Sequence, residues 1–281
     1  MNLSPHEIYC RDLVRTNDRE RYLVSLFAPA ACRPSLWAIY AFNHEIAKTR
    51  ETVSEPMLGE IRLQWWREAI EGIYADTPRE HQVVLALSGA IERGNLPRVQ
   101  FETLIDARAK DLEDAPFPNI DVYMEYLKQT SAPLHHLALD CLEVENEAVS
   151  DCATKVGTAY ALVGILRAAP FFFRQNRIPF PEDLLKDHGV TERAVFALRP
   201  FPELAGLVSM LASKAEGLMV DAGDGEVERA ARPAVLAAAQ VNWHLARLKQ
   251  AGCDPYDASV SAPIPFHELR LAVKMFLGKW R

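Results

Sequence analysis

Residues 151–181 read DCATKVGTAYALVGILRAAPFFFRQNRIPFP, and the rest of the chain is best understood outward from them. The run from Val156 to Leu166 is uncharged and rich in Gly and Ala, so it predicts a helix buried on most sides. Lys155 and Arg167 bound that run, which is well short of the roughly 20 residues that span a bilayer. Pro170 lacks a backbone N–H and crowds the preceding turn, so the helix is expected to end or kink there. Three phenylalanines, Arg177 and two further prolines follow.

Upstream, Ser4-Pro5-His6-Glu7 has the form of a helix N-cap with proline in the first turn and Glu three residues after Ser. A second helix starts near Arg19, carries Tyr22, Leu23, Leu26 and Phe27, and ends at Pro29. After Arg33-Pro34, the stripe Leu36, Ile39, Tyr40 and Ile46 predicts an amphipathic helix. Pro56 opens another, with Leu58, Ile61, Trp65, Ala69 and Ile73 expected inward and Trp66 and Arg67 flanking them. Further helices are read over 85–91, 99–112 and 120–139, the last kinked or restarted at Pro133. Beyond Pro181 come helices at 182–188, ended by Gly189, at 203–219 and at 230–249, with a loop at Gly223-Asp224-Gly225. An amphipathic helix over 265–281 closes the sequence. No β-alternation of useful length interrupts this pattern. The reading is all-α, a single large helical bundle occupying 1–281 as one domain.

The chain has 281 residues, 49% hydrophobic and 25% charged, ample for one large core. Its net charge of −7 argues against a nucleic-acid partner, which would need clustered cations. Cys10, Cys32, Cys141, Cys152 and Cys253 are odd in number and have no metal-ligand spacing, so free thiols in a reducing compartment are expected. His135 and His136 are adjacent and cannot face one ion from one helix. The acids Asp106, Asp111, Glu113 and Asp114 alternate with Arg108 and Lys110, the pattern of a salt-bridged helix face rather than a cation site. No phosphate loop, His-Glu-x-x-His or nucleophile elbow is present.

Taken in order, Arg33-Pro34, Ala38-Ile39-Tyr40-Ala41-Phe42, Trp66-Arg67, the Tyr-x-x-x-Thr-Ser-Ala of 126–132, the Gly-x-Ala-x-x-Leu-x-x-Ile-Leu-Arg of 157–167 and the Arg-Ile-x-Phe-Pro of 177–181 resemble the squalene/phytoene synthase family. The resemblance covers almost the whole chain and rests on order and spacing together. It implies the trans-isoprenoid (squalene/phytoene) synthase fold. It also implies an ancestral site in which two aspartate-rich motifs hold Mg²⁺ ions against prenyl diphosphates.

The acids that such a site needs are missing. Where the family's first motif is expected, the chain reads Ala47, Lys48 and Glu51, so one carboxylate survives. Where the second is expected, Ala168 and Phe172 stand in place of aspartates. No resident cofactor and no metal are therefore expected, and no catalytic residue is assigned. Mg²⁺ enters only under an alternative reading, a prenyltransferase condensing prenyl diphosphates with a displaced metal site built from Glu51, Glu55 and the acids of 106–114.

The segments Phe42-Asn43-x-Glu45-x-Ala47, Arg62-x-Gln64-x-Trp66, Asp106-x-Arg108 and Leu166-Arg167-Ala168-x-Pro170 resemble a narrower branch, the respiratory complex I assembly factors. That resemblance implies a non-catalytic protein whose partners are complex I subunits or assembly intermediates. It also implies an apolar pocket for a lipid or isoprenoid-like ligand. Tyr40, Asn43, Arg62, Trp66, Tyr160, Arg167 and Arg177 are the candidate pocket residues. Arg62, Arg167 and Arg177 would bind an anionic headgroup, or else form salt bridges to Glu51, Glu55 or Asp106. Members from eukaryotes are mitochondrial; this chain starts directly at the first family helix, so a bacterial, cytoplasmic protein, peripheral at the inner membrane, is expected. A partner that simply buries the pocket is the third reading.

Overall fold

The computed structural model describes residues 3–223 and 227–277, and among them every regular element is helical. In chain order the helices are α1 (Pro5–Asn17), α2 (Arg19–Ser25), α3 (Arg33–Ala47), α4 (Thr49–Thr52), α5 (Pro56–Tyr74), α6 (Gln82–Gly94), α7 (Arg98–Ala109) and α8 (Ile120–Cys141). They continue as α9 (Glu147–Arg174), α10 (Glu182–Asp187), α11 (Glu192–Val195), α12 (Pro202–Asp221), α13 (Arg232–Val235), α14 (Ala237–Gln250), α15 (Ala258–Ser261) and α16 (His267–Leu277). Most of the buried apolar residues, from Cys10 to Val260, form one contiguous cluster, so elements near both ends share a core.

Local chemistry sets several boundaries. Ser4 and Glu7 form the reciprocal capping box that starts α1. Asp18 ends α1 and at once caps α2, its carboxylate accepting from the Arg21 N–H at 3.1 Å. Asn119 and Asn146 cap α8 and α9 in the same way. Gly189, at φ 67°, closes the chain reversal after α10.

The central helix departs from expectation at its end. α9 runs without interruption through Pro170 to Arg174. The proline removes one hydrogen bond and crowds a turn, costing about 3 kcal/mol. Burial offsets that cost, since one phenylalanine side chain taken from water is worth about 1.5–3 kcal/mol. Ala169 and Phe173 are buried, and the Phe173 ring lies 6.1 Å from both Phe180 and Tyr256. Likewise α8 continues through Pro133.

α9 is nevertheless not buried on most sides. Half of its most apolar window is inside the protein. The rest, including Ala161, Gly164, Ile165 and Ala168, is partly open, and a Cβ on Gly164 would meet nothing within 4 Å. By length and composition it is the one helix among the described residues that could cross a membrane. Its packing against α8, α12 and α14 marks it as a core helix instead. Where it meets α8 the backbones approach closely: a Cβ on Gly157 would lie 2.8 Å from the His135 ring and 3.2 Å from the Ala132 Cα.

Two faces read from periodicity are corrected. α3 is not a one-sided stripe, because Pro34 to Asn43, Glu45 and Ile46 are all buried. On α5 the inward residues are Gly59, Leu63, Trp66, Ala69, Ile70 and Ile73, whereas Leu58 and Ile61 are exposed. Downstream, 230–249 is two helices, α13 and α14. Asp224 and Gly225 of the expected loop, and 278–281 of the expected last helix, lie outside the described residues.

Candidate functional site

The candidate residues are distributed over three places. The first is an ionic knot where the α1–α2 junction meets α3, α9 and α14. Glu20 accepts from Tyr160 Oη at 3.1 Å and from His244 Nε2 at 2.8 Å, and pairs with Arg167 Nη1 at 3.1 Å. Beside it, Arg21 pairs with Asp18 at 2.6 Å. The Arg21 guanidinium carbon also lies 4.8 Å from the Tyr160 ring centre and 5.9 Å from that of Tyr40. Tyr40, Tyr160 and Arg167 are therefore brought together, by residues that the pattern reading did not single out: Asp18, Glu20, Arg21 and His244.

Electrostatics holds this knot in one protonation state. Burial alone would raise the Glu20 carboxyl, but the His244 hydrogen bond, the Arg167 charge and the Tyr160 hydrogen bond outweigh it and hold the group at about 2. Burial pushes His244 down despite the Glu20 carboxylate that its Nε2 faces at 2.8 Å. Its Nδ1 is buried and has no hydrogen-bond partner among the described residues. Burial likewise raises the Tyr40 and Tyr160 phenols.

The second place is a cavity of about 400 Å³ below the end of α9, lined by Phe172, Arg177, Ile165, Phe117 and Tyr126. It is less apolar than expected, because Lys110, Asp111, Glu113, Asp114, Glu182 and Glu192 also line it. Arg177 donates to the Asp111 carbonyl at 3.1 Å and lies over the Phe172 ring. Among the described residues it makes no ion pair. Asp111 is engaged by Arg108 at 3.1 Å and by the Tyr126 hydroxyl.

The third place is a surface depression beside α4 and α5, lined by Glu45, Arg62, Leu58, Ile61, Trp65, Trp66 and His81. Buried Glu45 binds both Arg62 and Lys48 at 2.6 Å. Trp66 is a core anchor, edge-on to Phe42 and His81, rather than a mouth residue. Asn43 is buried in α3 with its Oδ1 unpartnered. The expectation of salt bridges at the arginines holds for Arg62 and Arg167, but their partners are Glu45 and Glu20 instead of Glu51, Glu55 or Asp106.

The degenerate motif positions do not assemble a metal site. α3 stops at Ala47, the chain turns at Lys48, and Glu51 is exposed on the separate α4. Ala168 and Phe172 bring no ligand atoms. Asp106 pairs with Arg67, Asp111 with Arg108, Glu113 with Lys110 and Asp114 with Arg50. No group of three or more side chains suited to a metal occurs among the described residues. The donor set does not fit Mg²⁺. His135 and His136 diverge as expected, to the Ala234 carbonyl and to Thr154 Oγ1, each at 2.8 Å.

The buried histidine and the knot set an acid limit to stability. Burial lowers His135 to about 4, so the folded protein resists a proton that the unfolded chain accepts near 6.5. Stability is expected to fall as pH drops from 6.5 toward 4, on the order of 3 kcal/mol from this group. Glu20, depressed from 4.5 to about 2, stabilises above 4.5 and loses that contribution as pH falls toward 2. Urea midpoints measured across this range should show the upper limb flattened in His135→Gln; an unchanged slope would remove His135 as its origin.

The squalene/phytoene synthase family profile matches residues 14–275. A Bos taurus protein named NADH dehydrogenase (ubiquinone) complex I, assembly factor 6, is 30% identical over 275 residues, covering 97% of this chain and 81% of that one. The phytoene synthase of Thermus thermophilus is 27% identical over 244 residues, covering 86% and 83%. A solved dehydrosqualene synthase in complex with a ligand shares the fold at a TM-score of 0.84 and 18% identity, covering 97% of this chain and 95% of that one. With the helical order, the profile and the full-length relatives in agreement, the chain belongs to the squalene/phytoene synthase family, with Ala47, Lys48, Ala168 and Phe172 where the resemblance leads one to expect its aspartates.

Proposed function

We propose that this protein is a non-catalytic factor in the biogenesis of a respiratory NADH–quinone oxidoreductase. The observation that carries the non-catalytic reading is internal neutralisation. Arg177 apart, the cations that could face a diphosphate are tied to this chain's own carboxylates: Arg167 to Glu20, Arg21 to Asp18, and Arg62 and Lys48 to Glu45. A diphosphate would have to displace those partners with no metal to help it. The assembly role rests on the nearly full-length similarity to relatives named complex I assembly factor 6.

On this reading the protein works from the cytoplasmic side of the membrane that holds the enzyme, and contacts its subunits or assembly intermediates. The 400 Å³ cavity, with Arg177 in no ion pair among the described residues and Phe172 and Ile165 as apolar walls, would take the head and first part of a lipid or isoprenoid-like molecule. Mass spectrometry of the purified protein should find that molecule; an empty cavity leaves the assembly role with a protein partner alone. Deleting the gene should lower the amount of assembled NADH–quinone oxidoreductase on native gels and leave carotenoid and hopanoid levels unchanged. Normal enzyme in the deletion strain overturns the proposal.

A further inference from the structure

We infer that the outward face of α16 is a docking surface for an anionic lipid bilayer. At helical spacing Leu269, Val273 and Phe276 lie on the side opposite His267 and Leu271, the two residues that α16 buries. The side of a surface helix that points away from the core is ordinarily polar. Here Phe276 is 88% exposed, Leu269 63% and Leu277 60%, and Phe266, just before the helix, is 78% exposed.

A few specific contacts tie the helix down from beneath. Leu271 packs into a small cluster with Leu23, Val24, Leu236 and Ala239. Arg270 stacks on Trp243 at 4.5 Å, and Arg232 donates to the Met275 carbonyl at 3.1 Å. Glu268, the one acid in the helix, is neutralised by Arg19.

Charge and area select the occupant. The chain carries −7 overall, yet residues 267–281 hold Arg270, Lys274, Lys279 and Arg281 against Glu268 alone. Arg270 lies on the flank between the buried side and the apolar face, where a long cationic side chain reaches lipid headgroups. The exposed face of an eleven-residue helix measures roughly 160 Å², from about 1.5 Å of rise per residue and about 10 Å of width. A stable protein interface needs about 800 Å² per partner. A bilayer sets no such minimum, because insertion follows the apolar area and the cations that are present.

The test is co-sedimentation of the full chain with phosphatidylcholine vesicles and with phosphatidylcholine–phosphatidylglycerol vesicles. Binding should be about tenfold tighter to the anionic vesicles and should weaken as salt is raised. Leu269→Glu with Phe276→Glu should abolish it with the circular dichroism unchanged. Val99→Glu with Val220→Glu, an equal change at exposed sites on α7 and α12, should leave it intact. Wild-type protein that ignores both vesicles, or a double variant that binds like wild type, overturns the inference. So does a concentration-dependent dimer by light scattering that the double variant abolishes, since the face would then join two copies of the chain. None of these readouts depends on respiratory enzyme assembly, so a negative result here leaves the proposed function standing.

Discussion

Glu20→Ala is expected to lower the stability of the protein by about 3 kcal/mol, read from urea or guanidinium denaturation near neutral pH. Glu20 and Arg167 are only 20% and 23% exposed, and Glu20 also accepts from Tyr160 and His244. Removing the carboxylate strands the Arg167 charge in a poorly solvated place, and breaking one half of such a pair costs about 3–5 kcal/mol. The residual solvent access puts the expectation at the lower end. Removing both charges is a different experiment, because an apolar pair of similar volume can replace a buried ion pair at little cost. Glu20→Ala combined with Arg167→Met should therefore recover much of the loss, with a coupling energy above about 1 kcal/mol. A single-variant loss below about 1 kcal/mol, or strictly additive effects, would show that the knot is a solvated surface arrangement.

The contrast between what the pattern of residues reveals and what only the fold reveals is sharpest at this knot. Ser4 and Glu7 announce the start of α1 because both partners lie within one turn. Two of the acids of 106–114, Asp111 and Glu113, are legible as salt-bridged because their partners lie three residues away, whereas Asp106 and Asp114 pair with the distant Arg67 and Arg50. Glu20 has no local signature, since it sits in the charge-rich run Arg19-Glu20-Arg21, which reads as a solvated helix face. Its partners Tyr160 and His244 are 140 and 224 residues away. α5 fails for another reason. It is apolar on two faces, with Leu58, Ile61 and Trp65 on one and Leu63, Trp66, Ile70 and Ile73 on the other. Periodicity then finds a stripe but cannot say which stripe is inside. At Pro170 local propensity is outweighed by the burial of Ala169 and Phe173, a tertiary effect that no window around the proline contains.

Reinstating the four expected acids, as Ala47→Asp, Lys48→Asp, Ala168→Asp and Phe172→Asp together, is expected to leave Mg²⁺-dependent pyrophosphate release from farnesyl or geranylgeranyl diphosphate at the blank rate, as in the wild type. If only ligands were missing, restoring them should rebuild the site. The backbone and the charge around it have changed as well. α3 ends at Ala47 and the chain turns at Lys48, φ −79° and ψ 1°, so carboxylates at 47, 48 and 51 would not share one helical face. Lys48→Asp also removes one of the two cations on buried Glu45 and sets a like charge beside it, a repulsion that only Arg62 is left to offset. On the opposite side Arg167 remains engaged by Glu20, leaving it unable to offset diphosphate charge. Calorimetric titration with Mg²⁺ separates the causes. Metal binding without turnover would place the remaining block at the occupied arginines, and adding Glu20→Ala should then raise diphosphate affinity. Pyrophosphate release by the wild type would establish a prenyltransferase with a displaced metal site and end the non-catalytic reading; release by the fourfold variant alone would show that the aspartates were the only parts lost.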